Sequence, residues 1–208
     1  MTPFDLPIDV ALARPVEDFP GGPGLLLTPA VDGWRAVLRT GADAALFSSH
    51  GTDLTRTFAD LAAAARDLPQ AVLDGEILAV LPNGDLSSAL LHTRAGGGPR
   101  RGEPFVVRYA AFDLLGLADD WRPLPHRDRY ERLVRLLNSG SRTIRALPAT
   151  DDPHVALEWT GPFARGVVAR PAGLPYLPGH GSKWLSWQRH RTAEQVGADA
   201  GPTGDAVR

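Results

Sequence analysis

Several short stretches of this sequence place charged and aromatic groups where they can act together. In Leu73-Asp-Gly-Glu-Ile-Leu-Ala-Val80, Asp74 and Glu76 are two residues apart. In an extended chain, period-two alternation puts both carboxylates on one face, roughly 6–7 Å apart. That spacing suits a hard cation such as Mg²⁺, and equally suits a turn followed by an edge-strand acid. Thr28-Pro-Ala-Val-Asp-Gly-Trp-Arg35 reads as a strand, an Asp-Gly turn and a second strand carrying Arg35, which taken alone is a hairpin. Tyr109-Ala-Ala-Phe-Asp-Leu-Leu115 is an apolar strand in which Phe112 offers a ring to a base, although strand aromatics mostly serve the core. Trp184 and Trp187 interleave with Lys183, Arg189 and Arg191, a combination suited to phosphate or single-strand contact.

These groups need elements to hold them. Apolar runs bounded by Gly, Asp and Pro predict strands at Leu25–Leu27, Trp34–Leu38, Ala44–Phe47, Val72–Leu81, Phe105–Phe112 and Gly166–Ala169. Phe58, Leu61, Ala62, Ala65 and Leu68 fall at helical spacing, with Thr57 and Asp60 placed as a capping box. His126–Leu137 repeats that period, with Tyr130, Leu133, Val134 and Leu137 on one side and Asp128/Arg132 and Glu131/Arg135 as i,i+4 pairs on a solvated arginine face. Gly96–Gly102 reads as a basic loop, Ala149–Pro153 as a break, and residues 193–208 as a disordered tail. Strands and helices that do not alternate strictly predict an α+β fold with mostly antiparallel sheet.

Composition narrows the function. The 208 residues suit one sizeable core, and a net charge of -2 argues against a generally basic, nucleic-acid-coating protein. No cysteine means no disulfide, no thiolate nucleophile and no thiolate metal site. No stretch approaches the roughly 20 apolar residues of a membrane span, and the N-terminus lacks the pattern of a signal peptide, so the expectation is a soluble cytoplasmic protein with no membrane partner. Lys183 is the only lysine, so any mechanism that needs one has a single candidate.

Read in order, Asp-Gly-x-Arg, Leu-Phe-Ser-x-x-Gly-x-Asp-Leu-Thr, Leu-Asp-Gly-Glu, Tyr-x-x-Phe-Asp-Leu-Leu, Gly-Val-Val-Ala and Tyr-x-Pro-Gly resemble the adenylation domain of ATP-dependent DNA ligases, the short bacterial end-joining type above all. The resemblance covers about Leu25 to Thr192, so residues 1–192 are expected to form one such domain. It implies a nucleotidyltransferase (ATP-grasp-like) fold of packed, mostly antiparallel sheets with flanking helices, holding ATP between them. It assigns Arg35 to phosphate or sugar, Glu76 to metal or ribose, and Phe112 to the adenine face, and places Thr28, Asp32, Gly33, Val168 and Arg170 in the same nucleotide site.

The departures from the family pattern fall on the chemistry. The nucleophilic lysine of Lys-x-Asp-Gly is Ala30, and Thr28 stands where related ligases carry an adenine-contacting glutamate. Arg165 replaces a metal-side glutamate, which counts against Mg²⁺, and Ser186 and Gln188 replace two phosphate-binding lysines. Ser49 stands where an arginine follows the serine of the second motif. The family's following oligonucleotide-binding barrel is expected to be missing, with a protein partner as a possible source of it.

Three functions follow as expectations. One is a degenerate adenylation domain that keeps at most noncovalent contact with nucleotide or DNA, the latter through Lys183, Arg189 and Arg191. The second is an active ligase or nucleotidyltransferase in DNA repair using another nucleophile, His50 or Lys183. The third is a structural or protein-interaction module in which Phe112, Trp184 and Trp187 are core residues.

Overall fold

The computed structural model describes residues 5–95, 102, 104–138, 141–161 and 164–189. The tail from 193 and Arg191 lie outside these, as does most of the Gly96–Gly102 loop. In chain order the elements are β1 (Ala11–Val16), β2 (Leu25–Ala30), β3 (Trp34–Arg39), β4 (Ala45–Ser48), α1 (Ala59–Arg66), β5 (Val72–Val80), α2 (Ser88–Ala95), β6 (Val106–Gly116), α3 (His126–Leu137), β7 (Ile144–Ala146), α4 (Pro153–Glu158), β8 (Gly166–Pro171) and β9 (Gly179–Gln188).

The strands form two sheets, ordered β1-β9-β8-β2 and β4-β3-β5-β6-β7. All neighbours are antiparallel except β1 with β9 and β6 with β7. The expected α+β class and the six expected strands are present. Period-two alternation sorts their side chains. On β3, Ala36 and Leu38 join the core under α1 and α3, whereas Val37 faces the other sheet. On β2 and β8, Leu27, Val167 and Ala169 pack with Ala156 of α4. The opposite faces of those strands turn toward the five-stranded sheet, where Phe112, Tyr176 and Trp184 sit in the inter-sheet core. The layers are therefore helices, five-stranded sheet, four-stranded sheet and α4.

Three expectations fail at this level. Asp32-Gly33 is not a hairpin turn, because β2 pairs with β8 and β3 pairs with β4 and β5. The turn carries the chain from one sheet to the other. Gly33 serves close approach, since a Cβ there would lie 2.6 Å from the Ile77 carbonyl oxygen and 3.0 Å from Glu76 Oε2. The Thr57/Asp60 capping box does not form: Phe58 is the N-cap and makes no side-chain cap bond. Asp60 is engaged elsewhere, its Oδ2 accepting a 2.7 Å bond from the buried Arg94.

The third failure concerns α3, whose boundaries match expectation but whose buried face is His126, Arg129, Leu133 and Leu137, while Val134 is exposed. The Glu131/Arg135 pair is present at 3.9 Å on the solvent side. Arg129 is not on that side, for the carboxylate it pairs with is itself interior. Among the described residues no helix is long and apolar enough to cross a membrane.

Candidate functional site

The residues singled out by sequence converge on the cleft between the sheets because each occupies the inward phase of its strand. From the four-stranded sheet come Thr28 and Ala30 on β2 and Val168 and Arg170 on β8, with Thr28 opposite Val168 and Ala30 opposite Gly166. From the five-stranded sheet come Arg35 on β3, Asp74 and Glu76 on β5, and Phe112 on β6. Phe112 is an extra residue between the pairs Gly75–Ala111 and Asp74–Asp113, a bulge that re-aims the strand at this point.

Two arginine–carboxylate pairs hold the interior. Arg35 donates from Nε and Nη2 to the two Asp74 oxygens at 2.6 and 2.7 Å, and from Nη2 to the Ala11 carbonyl at 3.2 Å. Tyr176 Oη donates to Asp74 Oδ2 at 2.6 Å and accepts from the Ala11 amide at 2.9 Å, so β1 is tied to the same carboxylate. Arg129 donates from Nε and Nη2 to the Asp113 oxygens, both at 2.8 Å, and from Nη1 to the Leu124 carbonyl. Asp113, Arg129, Tyr176 and His126 join the site only through the fold. Their sequence signal is weak, since Arg129 looks like one helix arginine among several.

Between these pairs lies a stack of cations and rings. The guanidinium carbons of Arg170 and Arg35 lie 4.2 and 4.5 Å from the Phe112 centroid, and 4.5 and 5.4 Å from that of Trp184. Phe112 and Trp184 meet edge to face at 5.9 Å. Arg170 Nη1 donates to Thr28 Oγ1 at 2.6 Å. Arg170 Nε and His126 Nδ1 are buried without a hydrogen-bond partner. At the mouth, Arg165 Nη2 pairs with Asp32 Oδ2 at 2.9 Å, and the same oxygen accepts from the Ser88 amide.

Protonation in the cleft follows from burial. Burial works against the Arg35 charge, but Asp74 outweighs it and the net shift is upward. Burial, and then the nearby Arg35 charge, lower Arg170 to about 10. Burial raises the Glu76 carboxyl to about 7 against the pull of Arg35 and Arg170, and lowers His126 to about 4 with Asp113 opposing.

The Glu76 and His126 shifts act on stability with opposite sign. The Glu76 contribution is present below its ordinary value of 4.5 and is lost as pH rises through about 7. The His126 contribution is present above its ordinary 6.5 and is lost as pH falls through about 4. The two largely cancel between those ordinary values. Glu76→Gln is therefore expected to expose the His126 slope, with stability rising by about 1 kcal/mol per pH unit from pH 4.5 to 6.5 in urea titrations. The wild type should be nearly flat there, and a flat Glu76→Gln profile would contradict the assignment.

The donor set does not fit Mg²⁺. Asp74 is held bidentately by Arg35 and Asp113 by Arg129, and Asp32 makes a single contact with Arg165. Glu76 is left among arginines, and the described residues contain no group of three His, Asp or Glu that could share an ion. Asp74 and Glu76 do share a face, but Asp74 is taken by Arg35.

The remaining candidates lie outside the cleft. Lys183 is exposed, with φ 55°, beside the buried Trp184. Trp187 packs edge to face on Phe19 and donates from Nε1 to the Glu17 carbonyl at 3.0 Å. The interleaved aromatic and basic surface therefore does not form, because Trp184 points inward. Arg189 is exposed and donates to Thr160 Oγ1 at 3.0 Å. His50 is exposed, 3.3 Å from Ser49 Oγ, and lines a cavity of about 1000 Å³ with Pro7, Ile8, Arg122 and Tyr176. Thr28, Ala30, Phe112, Val168 and Arg170 take no part in that cavity.

Comparison with known proteins bears on the frame. No protein-family model matches the chain, and no curated protein matches it in sequence. Solved structures do match. A mycobacterial DNA ligase D complexed with ATP and MES aligns at TM-score 0.65 and 22% identity over 86% of this chain and 61% of that one. The ligase domain of M. tuberculosis LigD aligns at 0.65 and 24% over 84% and 60%. The Chlorella virus DNA ligase-adenylate aligns at 0.60 and 17% over 88% and 69%. The chain thus spans about three fifths of the length of the first two. Identity at this level speaks to fold and leaves function to the site. Two packed, mostly antiparallel sheets, crossed by a turn at Asp32-Gly33 and closed by β9, give this chain the fold of the DNA ligase structures it matches.

Proposed function

We propose that this chain is a catalytically degenerate adenylation-type domain, one that keeps the two-sheet frame and does not carry out nucleotidyl transfer. The observation that carries this reading is position 30. Ala30 ends β2 on the cleft face, where the resemblance places the lysine that attacks the α-phosphate, and a methyl group has no lone pair to offer. The substitutions around it agree. Arg165 faces Asp32 in place of a metal-side carboxylate, and Ser186, opposite Val168, has no charge for a phosphate. Transfer of a nucleotidyl group depends on cations fixed around the developing charge; in this cleft Arg35 is paired with Asp74 and Arg129 with Asp113, while Arg170 stacks on Phe112 and bonds Thr28.

Neither alternative nucleophile compensates. Lys183 is exposed while its neighbour Trp184 faces the cleft, and His50 lies on the separate cavity. What remains for such a domain is contact with a polynucleotide or protein partner, with Lys183 and Arg189 as exposed phosphate-binding groups and Arg191 following them in sequence. Intact-mass measurement after incubation with ATP and Mg²⁺ or Mn²⁺ tests the reading. An unmodified protein is expected. A mass increase of one AMP would overturn it, and peptide mapping to Lys183 or His50 would establish the active alternative.

A further inference from the structure

We infer that the cleft between the sheets is closed to nucleotide, with the Arg170 guanidinium standing in the place of the purine. The inference rests on the reading above for the location of the nucleotide site, and goes beyond it by addressing noncovalent binding. A ring that stacks a ligand must present a face to solvent until the ligand arrives. Phe112 is 1% exposed and Trp184 is 2% exposed. A guanidinium carbon 4.2 Å from the Phe112 centroid in the ring plane would sit within about 3 Å of a ring carbon, inside van der Waals contact, so Arg170 lies over a face. Arg35 lies over the ring as well, and Trp184 meets it edge to face.

The planar guanidinium does the purine's work. It stacks on the ring that the resemblance gives to the base, and its Nη1–H bonds Thr28, the residue at the base-reading position. Thr28 is itself 0% exposed, so its hydroxyl is unavailable to an incoming base. Arg170 is held in this pose by two rings and one hydroxyl. Admitting a base here would require Arg170 to leave both rings and the Thr28 hydroxyl at once. The cavity near His50 offers no substitute, because none of the base-contacting positions lines it.

The test compares the wild type with Arg170→Ala, which removes the guanidinium and leaves Phe112 and Thr28 in place, using ATP and AMP as probes. The thermal midpoint of the wild type is expected to stay fixed with 5 mM of either nucleotide, and equilibrium dialysis to show no saturable uptake. The folded Arg170→Ala protein is expected to gain binding; a dissociation constant near 50 μM would raise its midpoint by about 5–10 °C at that concentration. Should Arg170→Ala fail to fold, Arg170→Lys keeps the charge, removes the stacking plane and is expected to gain in the same direction. Saturable wild-type binding below millimolar would overturn the inference, as would a folded Arg170 variant that gains no binding. Noncovalent ATP uptake by the wild type without an AMP adduct would sink this inference alone, whereas an adduct would sink the degenerate-domain reading as well.

Discussion

Arg129→Met is expected to lower the unfolding free energy by about 3–5 kcal/mol, the cost of leaving a buried charge without its partner. Arg129 and Asp113 are both 0% exposed and are joined by two parallel 2.8 Å bonds. No other cation takes over. His126 is 3.8 Å from Asp113, but burial lowers it to about 4 and leaves it neutral near pH 7. Arg170 is already committed to Thr28 and Phe112. Most of the loss therefore reports the stranded carboxylate rather than the net worth of the pair, and Arg129→Met with Asp113→Asn should recover much of it. Arg135→Ala, which touches only an exposed pair with Glu131, should cost less than about 0.5 kcal/mol in the same urea titrations. A loss below about 1 kcal/mol for Arg129→Met would show that the pair is not sealed from water as described.

The second large effect is at Gly166. A Cβ there would lie 1.9 Å from the Trp187 carbonyl oxygen and 2.7 Å from the Gln188 Cα, both backbone atoms of the neighbouring strand. Rotamer changes cannot relieve such a clash, so Gly166→Ala must push β8 and β9 apart beside Ala30. A loss of about 3 kcal/mol or more is expected, which for a domain of this size corresponds to a thermal midpoint about 6–12 °C lower. Gly173→Ala, with nothing within 4 Å of the added carbon, serves as the control and should move it little. A wild-type-like Gly166→Ala would mean that the two strands are not in this close register.

The contrast between these residues shows what sequence order reveals. Gly166 stands out because it belongs to a Gly-Val-Val-Ala motif, and the motif series placed Thr28, Arg35, Glu76, Phe112 and Arg170 in one site before any contact was visible. Period-two alternation then brings their side chains inward, which explains why the strands could be predicted from local pattern. Pairing could not. Asp32-Gly33 has the local look of a hairpin, yet its two strands belong to different sheets, and that choice depends on β8 far along the chain. The parallel strands β1 and β7 carry no turn signal linking them to their partners, and β9 has the local look of a contact surface because two tryptophans alternate with basic residues.

Burial of charge was the other limit. Asp74 beside Glu76 looks like a metal pair until Arg35 is seen to bind both Asp74 oxygens. Arg129 looks solvated until Asp113 is found beneath α3. Local composition records the charges but not the long-range neighbours that neutralise them, and in this cleft those neighbours separate a ligand site from a filled core.

The most direct measurement is a calorimetric titration of the wild-type protein with ATP, with and without Mg²⁺. Heats of dilution alone, up to millimolar ATP in either condition, are the predicted result, because the ring, the hydroxyl and the cations of the cleft are already occupied by one another. Saturable heat with a defined stoichiometry would contradict the account, and its dependence on Mg²⁺ would show whether the carboxylates assigned here to arginines are free to hold a metal after all.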